Sequence, residues 1–130
     1  MVAEPAVVCD ASALAAVIFG EPDSDHVLSL TRARRLFSPT LLRYELGQTA
    51  LRKCSATPTD SERIETYLAD SLRLPVQLLQ PSWLAAFRLA KENGLTIHDA
   101  SYLQLALELK IPLITLDKRL SRVARGLGVA

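Results

Sequence analysis

The sequence predicts an α/β fold with a short central parallel sheet covered by helices on both faces. Two observations carry that prediction. Short apolar runs rich in β-branched residues alternate with segments of helical periodicity, and those runs lack the polar alternation of a half-exposed sheet. The chain has 130 residues, 49% of them hydrophobic, which is enough to bury one core, so a single domain spanning 1–130 is expected.

Ala6-Val7-Val8-Cys9 reads as a buried strand, and Asp10-Ala11-Ser12 turns it into a helix through about Phe19. Gly20-Glu21-Pro22-Asp23 is turn chemistry, and Ser24 is placed to cap a helix bearing Val27, Leu28 and Leu30 that ends before the basic run Arg32 to Arg35. Leu36-Phe37 is a second short strand. Beyond Ser38-Pro39-Thr40, helical patterning runs from Leu41 to about Cys54, and Thr57-Pro58-Thr59-Asp60 opens another helix to about Leu72. Two helices therefore follow each other with no strand between them. Val76 to Leu79 is a third strand. Pro81-Ser82 then starts a helix to Glu92, closed by Asn93-Gly94, and Ile97 to Leu109 is the next helix. Trp83, Leu84 and Phe87 are expected in the core rather than as a base-stacking platform. Leu113-Ile114-Thr115-Leu116 is the last strand, and Lys118 to Arg125 is the last helix, stopping at Gly126.

Fifteen Lys and Arg nearly balance fourteen Asp and Glu, giving a formal charge of +1, so no global field draws the chain to nucleic acid or membrane. Affinity for a polyanion has to come from local patches. Cys9 and Cys54 have neither zinc-site spacing nor the density of a disulfide scaffold, and both read as free thiols of a reducing cytoplasm. The apolar stretch Ala6 to Phe19 lacks a basic leading region, is broken by Asp10 and is too short to span a bilayer. A soluble cytoplasmic protein is expected.

Four carboxylates stand out. Asp10 and Asp117 each follow an apolar strand and open a helix, where open α/β sheets place ligands and where an Asp also serves as an ordinary N-cap. On a helical wheel Asp99 falls among Leu103, Ala106, Tyr102 and Leu107, with Ser101, Gln104 and Glu108 opposite. Thr96 with Asp99 three residues on also resembles a capping box. Glu45 is read as lying mid-helix, at the edge of an apolar stripe, where the alternative is a rim glutamate paired with Arg52. Gathered into one cleft, these groups would repel each other unless a cation neutralised them. An all-oxygen set selects a hard cation, Mg²⁺ or Mn²⁺, whose chemistry suits phosphate-ester cleavage. His98 lies about 100° from Asp99 on the wheel and is a poor general base, and no Ser or Cys has a supporting triad.

The motifs around these residues resemble the PIN-domain family, more narrowly the VapC toxins of VapBC toxin–antitoxin pairs. Val7-Val8-Cys9-Asp10-Ala11-Ser12 resembles the family's first strand and leading aspartate, and Ser38 to Leu46 the segment carrying its glutamate. Leu95 to Ala106, with Asp99 followed by Ala100 and a Tyr102-Leu103 pair, resembles its most recognisable stretch. Leu113 to Leu120, with Thr115 two residues ahead of Asp117, resembles its final motif. The resemblance implies a PIN-like α/β/α sandwich, Mg²⁺- or Mn²⁺-dependent cleavage of RNA, a homodimer, and inhibition by a VapB-like antitoxin. It further implies that Asp10, Asp99 and Asp117 hold metal, that Glu45 is a ligand or orients the attacking water, and that Ser12 and Thr115 support the site. Where many relatives continue into a last apolar strand, this sequence stops at Gly126-Leu127-Gly128-Val129-Ala130, so that edge strand is expected to be short or missing.

Basic residues cluster at Arg32, Arg34 and Arg35, at Arg52 and Lys53, and at Lys118, Arg119, Arg122 and Arg125. Lys118 and Arg119, beside Asp117, are the candidate RNA contacts. Three competitors to a toxin ribonuclease are a PIN nuclease of RNA processing, a phosphoryl-receiver-like signalling domain, and a binding module that keeps the fold without catalysis. The consecutive helices from Leu41 to Leu72 fit a receiver poorly.

Overall fold

A computed structural model describes residues 5–130. Its elements are β1 (Ala6–Cys9), α1 (Ala11–Ile18), α2 (Ser24–Thr31), β2 (Arg35–Pro39), α3 (Leu42–Ala56), α4 (Ser61–Asp70), β3 (Val76–Leu79), α5 (Trp83–Asn93), α6 (Ile97–Leu109), β4 (Leu113–Ile114) and α7 (Lys118–Gly126). Short 3₁₀ turns at Pro58–Asp60 and Ser71–Arg73 flank α4, so the helix expected to reach Leu72 is shorter and tightens at both ends.

The four strands are all parallel, in the order β3-β2-β1-β4. Parallel crossovers are right-handed, so the helices linking β1 to β2 and β2 to β3, which step the same way, lie on one face, and α5 and α6 return to β4 across the other. The packing agrees. α1 meets α2 and α3, and α3 meets α4, whereas α6 packs on β1, β2 and α5. Val7, Val8 and Cys9 of β1 are completely buried, as a strand covered on both faces must be. Around them Phe37, Leu46, Leu103, Leu105 and Leu120 complete one contiguous core. This is the α/β sandwich with a short parallel sheet that the sequence predicts.

Several local expectations change. Ser38 and Pro39 belong to β2 rather than to a loop. Pro39 has no N–H to offer the carbonyl of Cys9 on the neighbouring strand, and the buried Ser38 Oγ donates to it instead at 3.0 Å. β4 ends at Ile114, because the next backbone N–H groups serve side chains: Leu116 N donates to Ser12 Oγ at 3.0 Å and Asp117 N to Thr115 Oγ1 at 3.0 Å. Ser24 is the first residue of α2, and the cap position is Asp23, without a side-chain bond. Trp83, Leu84 and Phe87 are not core: they are 70%, 50% and 48% exposed. The buried face of α5 is formed by the smaller Ala86, Leu89 and Ala90. Ser101, placed by the wheel on the outer face, is buried because α6 is covered by both the sheet and α5; its hydroxyl donates to Ile97 O at 2.8 Å. After α7 the chain turns through Gly128, and Val129 O accepts a single bond from Leu113 N at 2.7 Å, with no fifth strand among the described residues.

Ser38→Ala strands the Cys9 carbonyl beside the first residue of the cleft. It should lower unfolding stability by about 1–3 kcal/mol, the cost of a buried acceptor left unmet, read from the urea midpoint at unchanged slope.

Candidate active site

β1 and β4 are neighbours, yet the chain leaves β1 for β2 on the opposite side. Their carboxyl ends therefore flank the point where strand order reverses, the place where open α/β sheets bind ligands. Asp10 and Asp117 stand there. Asp10 is 4% exposed, and its carboxylate is fully engaged: Oδ1 accepts from Ala13 N at 2.9 Å and Ser12 Oγ at 2.7 Å, and Oδ2 accepts from Thr115 Oγ1 at 2.5 Å. Ser12 and Thr115 each take a backbone N–H from the β4–α7 connection, from Leu116 and Asp117, which turns their own hydrogens toward Asp10. Asp117 caps α7 through Oδ1, which accepts from Leu120 N at 3.0 Å. Both aspartates are thus helix caps and cleft residues at once.

The other two carboxylates come from opposite layers. Thr96 caps α6, accepting from Asp99 N at 3.1 Å, and this sets Asp99 in the first turn. Glu45 lies in the first turn of α3, not mid-helix, so the positive helix end favours its charge. It is not paired with Arg52, whose guanidinium donates to Thr49. Its partner is Tyr102, whose buried ring brings its hydroxyl to Glu45 Oε1 at 2.5 Å. Sequence reasoning did not assign Tyr102 to the site. The available signal was its position one turn after Asp99 on the apolar face, since a buried tyrosine needs a partner for its O–H. Asp10, Glu45, Asp99 and Asp117 line one open cleft of about 570 Å³, together with Tyr102 and an exposed His98.

The cleft holds its negative charge against resistance. Burial raises the Asp10 pKa, and the Asp99 charge adds to this, while the bonds from Thr115, Ala13 and Ser12 oppose it. Asp99 is raised by burial and then by Asp117, against Thr96, His98 and Arg119. Burial and Glu45 raise the Tyr102 hydroxyl, which keeps it a proton donor. The buried Cys9 thiol is pushed up to about 12 by burial and by Asp10, so it is an inert core residue.

Among the described residues the ion pairs are Lys53–Glu21 and Arg63–Asp60, so no cationic side chain pairs with the cleft carboxylates. The second oxygen of Asp117 and the second oxygen of Glu45 have no hydrogen-bond donor there either. Oxygen-only donors with uncompensated charge fit a hard divalent cation. The fit is one of donor chemistry and charge: among the described residues no three acidic, His or Cys groups stand close enough to enclose an ion.

Lys118 is exposed at the first turn of α7. Arg119 donates from Nη2 to the carbonyl of Gly94 while its charge still acts on Asp99. Gly94 closes α5 at φ +63°, a left-handed backbone conformation that favours glycine.

A short parallel sheet with a carboxylate-lined cleft at its switch point defines an α/β protein with an acidic candidate site. Residues 7–126 match the PIN domain model, and the chain belongs to the PIN domain family. It is 30% identical over 124 residues to Ribonuclease VapC3 of Pyrobaculum aerophilum, covering 88% of this chain and 92% of that one. The crystal structure of PAE2754 from the same organism superposes with a TM-score of 0.72 at 27% identity, over 89% of this chain and 84% of the other. VapC20 of Mycobacterium tuberculosis, a sarcin-ricin loop cleaving toxin, shares the fold with a TM-score of 0.65 at 14% identity, over 96% and 97% of the two chains. No helix among the described residues is long and apolar enough to cross a membrane.

A carboxyl whose pKa is raised on folding contributes stability that is complete below its ordinary value, 3.8 for Asp99, and is lost as pH rises through the raised value. Asp99→Asn, which mimics the protonated state, should therefore raise the melting temperature of the metal-free protein by about 2–4 °C at neutral pH. In thermal scans across pH the gain should shrink to nothing below pH 3.8.

Proposed function

We propose that the chain is a divalent-metal-dependent endoribonuclease, the toxin component of a type II toxin–antitoxin system, acting in the cytoplasm. The observation that carries this reading is the convergence of Asp10, Glu45, Asp99 and Asp117 on one cleft, with no salt bridge to any of them among the described residues. Residues from β1, α3, α6 and α7 meet there, and the PIN domain match and the VapC-named relatives support assigning them to RNA cleavage.

In this reading Asp10, Asp99 and Asp117 hold Mg²⁺ or Mn²⁺, with Glu45 as a further ligand or as the group that orients the attacking water. The ion, when bound, activates water, neutralises the phosphate and stabilises the leaving oxygen. The chain's own part is positioning. Ser12 and Thr115 fix the plane of the Asp10 carboxylate, so that no rotation has to be frozen when a ligand arrives. Tyr102 ties up one oxygen of Glu45 and leaves the other turned to the cleft.

A VapB-like antitoxin is the proposed protein partner, and a homodimer the proposed assembly. In this reading the dimer contact is assigned to the exposed Trp83, Leu84 and Phe87 of α5. Replacing Trp83 with Glu should halve the mass measured by sedimentation if that face is the contact.

Purified protein should cleave RNA only with Mg²⁺ or Mn²⁺ present. Asp10→Asn and Asp99→Asn should each lower kcat by about 10²–10³-fold, and Thr115→Val by about 10–100-fold. Full activity in either aspartate variant, or in chelator, overturns the proposal. Growth arrest on expression, relieved by co-expressing a small neighbouring protein, tests the toxin role separately.

A further inference from the structure

One groove adjoins the acidic cleft. About 470 Å³ in volume, it lies along α7 and is lined by Lys118, Ser121, Arg122 and Arg125, and Asp117 lines both it and the cleft, so the two adjoin at that residue. Lys118, Arg122 and Arg125 are all exposed, and none forms an ion pair among the described residues. Their spacing at i, i+4 and i+7 puts them on one stripe, about 6 and 4.5 Å apart along the helix axis.

Helix electrostatics do not explain the start of that stripe. A lysine in the first turn opposes the macrodipole, and the acidic group at that helix end is the Asp117 cap, itself a cleft carboxylate. The other basic clusters are placed or occupied differently. Arg32, Arg34 and Arg35 sit where β2 begins, at the amino edge of the sheet and away from the cleft, and Arg35 is held by Gln77 and Phe37. Arg52 stands on the α3 wall of the cleft, bonded to Thr49, and Arg119 is bonded to the Gly94 carbonyl.

We infer that this stripe is the track for the phosphate backbone of the substrate, receiving one strand as it leaves the cleft past Asp117, with Lys118 nearest the cut and Arg125 farthest. The inference rests on the ribonuclease reading and adds to it the path of the substrate strand, led along α7. A single row of cations on a helix contacts one backbone. Arg119, two residues from Asp117, takes no part in the track.

The test is anisotropy of a labelled twelve-nucleotide single-stranded RNA with the full chain in chelator, titrated between 50 and 200 mM salt. Lys118→Ala/Arg122→Ala/Arg125→Ala should weaken binding at least tenfold at the low-salt end. It should also flatten the slope of log Kd against log salt by about 2, since each lost phosphate contact on a single strand removes about 0.7. Arg122→Gln alone should remove about 0.7, and Arg32→Ala/Arg34→Ala should change neither quantity. Unaltered affinity and slope in the triple variant, with a wild-type circular dichroism spectrum and with RNA still cleaved by the unaltered protein, overturn the track and leave the nuclease reading standing. If the unaltered protein neither binds nor cleaves RNA, both fall. A triple variant that loses only inhibition by a protein partner assigns the stripe to that partner and overturns the track.

Discussion

The buried carboxylate of Asp10 is the constraint on which the rest of the molecule depends. Held at the end of β1, it accepts three hydrogen bonds that tie that strand to two segments: the first turn of α1, through Ala13 N and the Ser12 hydroxyl, and the β4–α7 connection, through Thr115. Burial resists its charge, and those bonds are what let it remain in a core of Val7, Val8 and Cys9. The same bonds explain why β4 is only two residues long. Backbone groups that would continue the ladder are spent holding Ser12 and Thr115 in the orientation Asp10 needs.

From that anchor the cleft is assembled by topology. The reversal of strand order between β1 and β4 leaves a gap at their carboxyl ends, and the layers on the two faces each send one carboxylate into it, Glu45 from α3 and Asp99 from α6. Tyr102 links the layers through its bond to Glu45, so a core residue also positions the site. The arrangement costs stability in the absence of a counter-ion, because like charges share a partly desolvated space. Such a cost is the usual sign of a site shaped for a ligand rather than for folding.

Much of this was legible in the residues. Apolar runs marked all four strands, and the helix starts at Thr96 and after Pro81 carried their capping chemistry openly. The positions of Asp10 and Asp117 at strand ends located half of the cleft. What stayed hidden depended on contacts between distant segments. Ser38-Pro39 reads as a loop until the Cys9 carbonyl shows why a serine hydroxyl replaces the missing N–H. A one-helix wheel cannot know that α6 is covered on two sides, which misplaced Ser101, nor that α5 buries its alanines and leaves Trp83 outside. Glu45 was misread as mid-helix by an error of boundary, and its partner Tyr102 lies 57 residues away. The weights given to single basic residues also needed the fold, because only the strand direction separates Arg32 and Arg34, at the far edge, from Lys118 beside the cleft.

The central claim is that these four carboxylates serve one hard-cation site at the switch point. Diffraction from crystals soaked in Mn²⁺, with anomalous data at the manganese edge, tests it most directly. The account requires a peak inside the cleft with oxygens of Asp10, Asp99 and Asp117 at about 2.0–2.6 Å, the range for hard cations. An empty cleft in crystals that bind Mn²⁺ elsewhere, or a cleft ion touching none of the three, would contradict it.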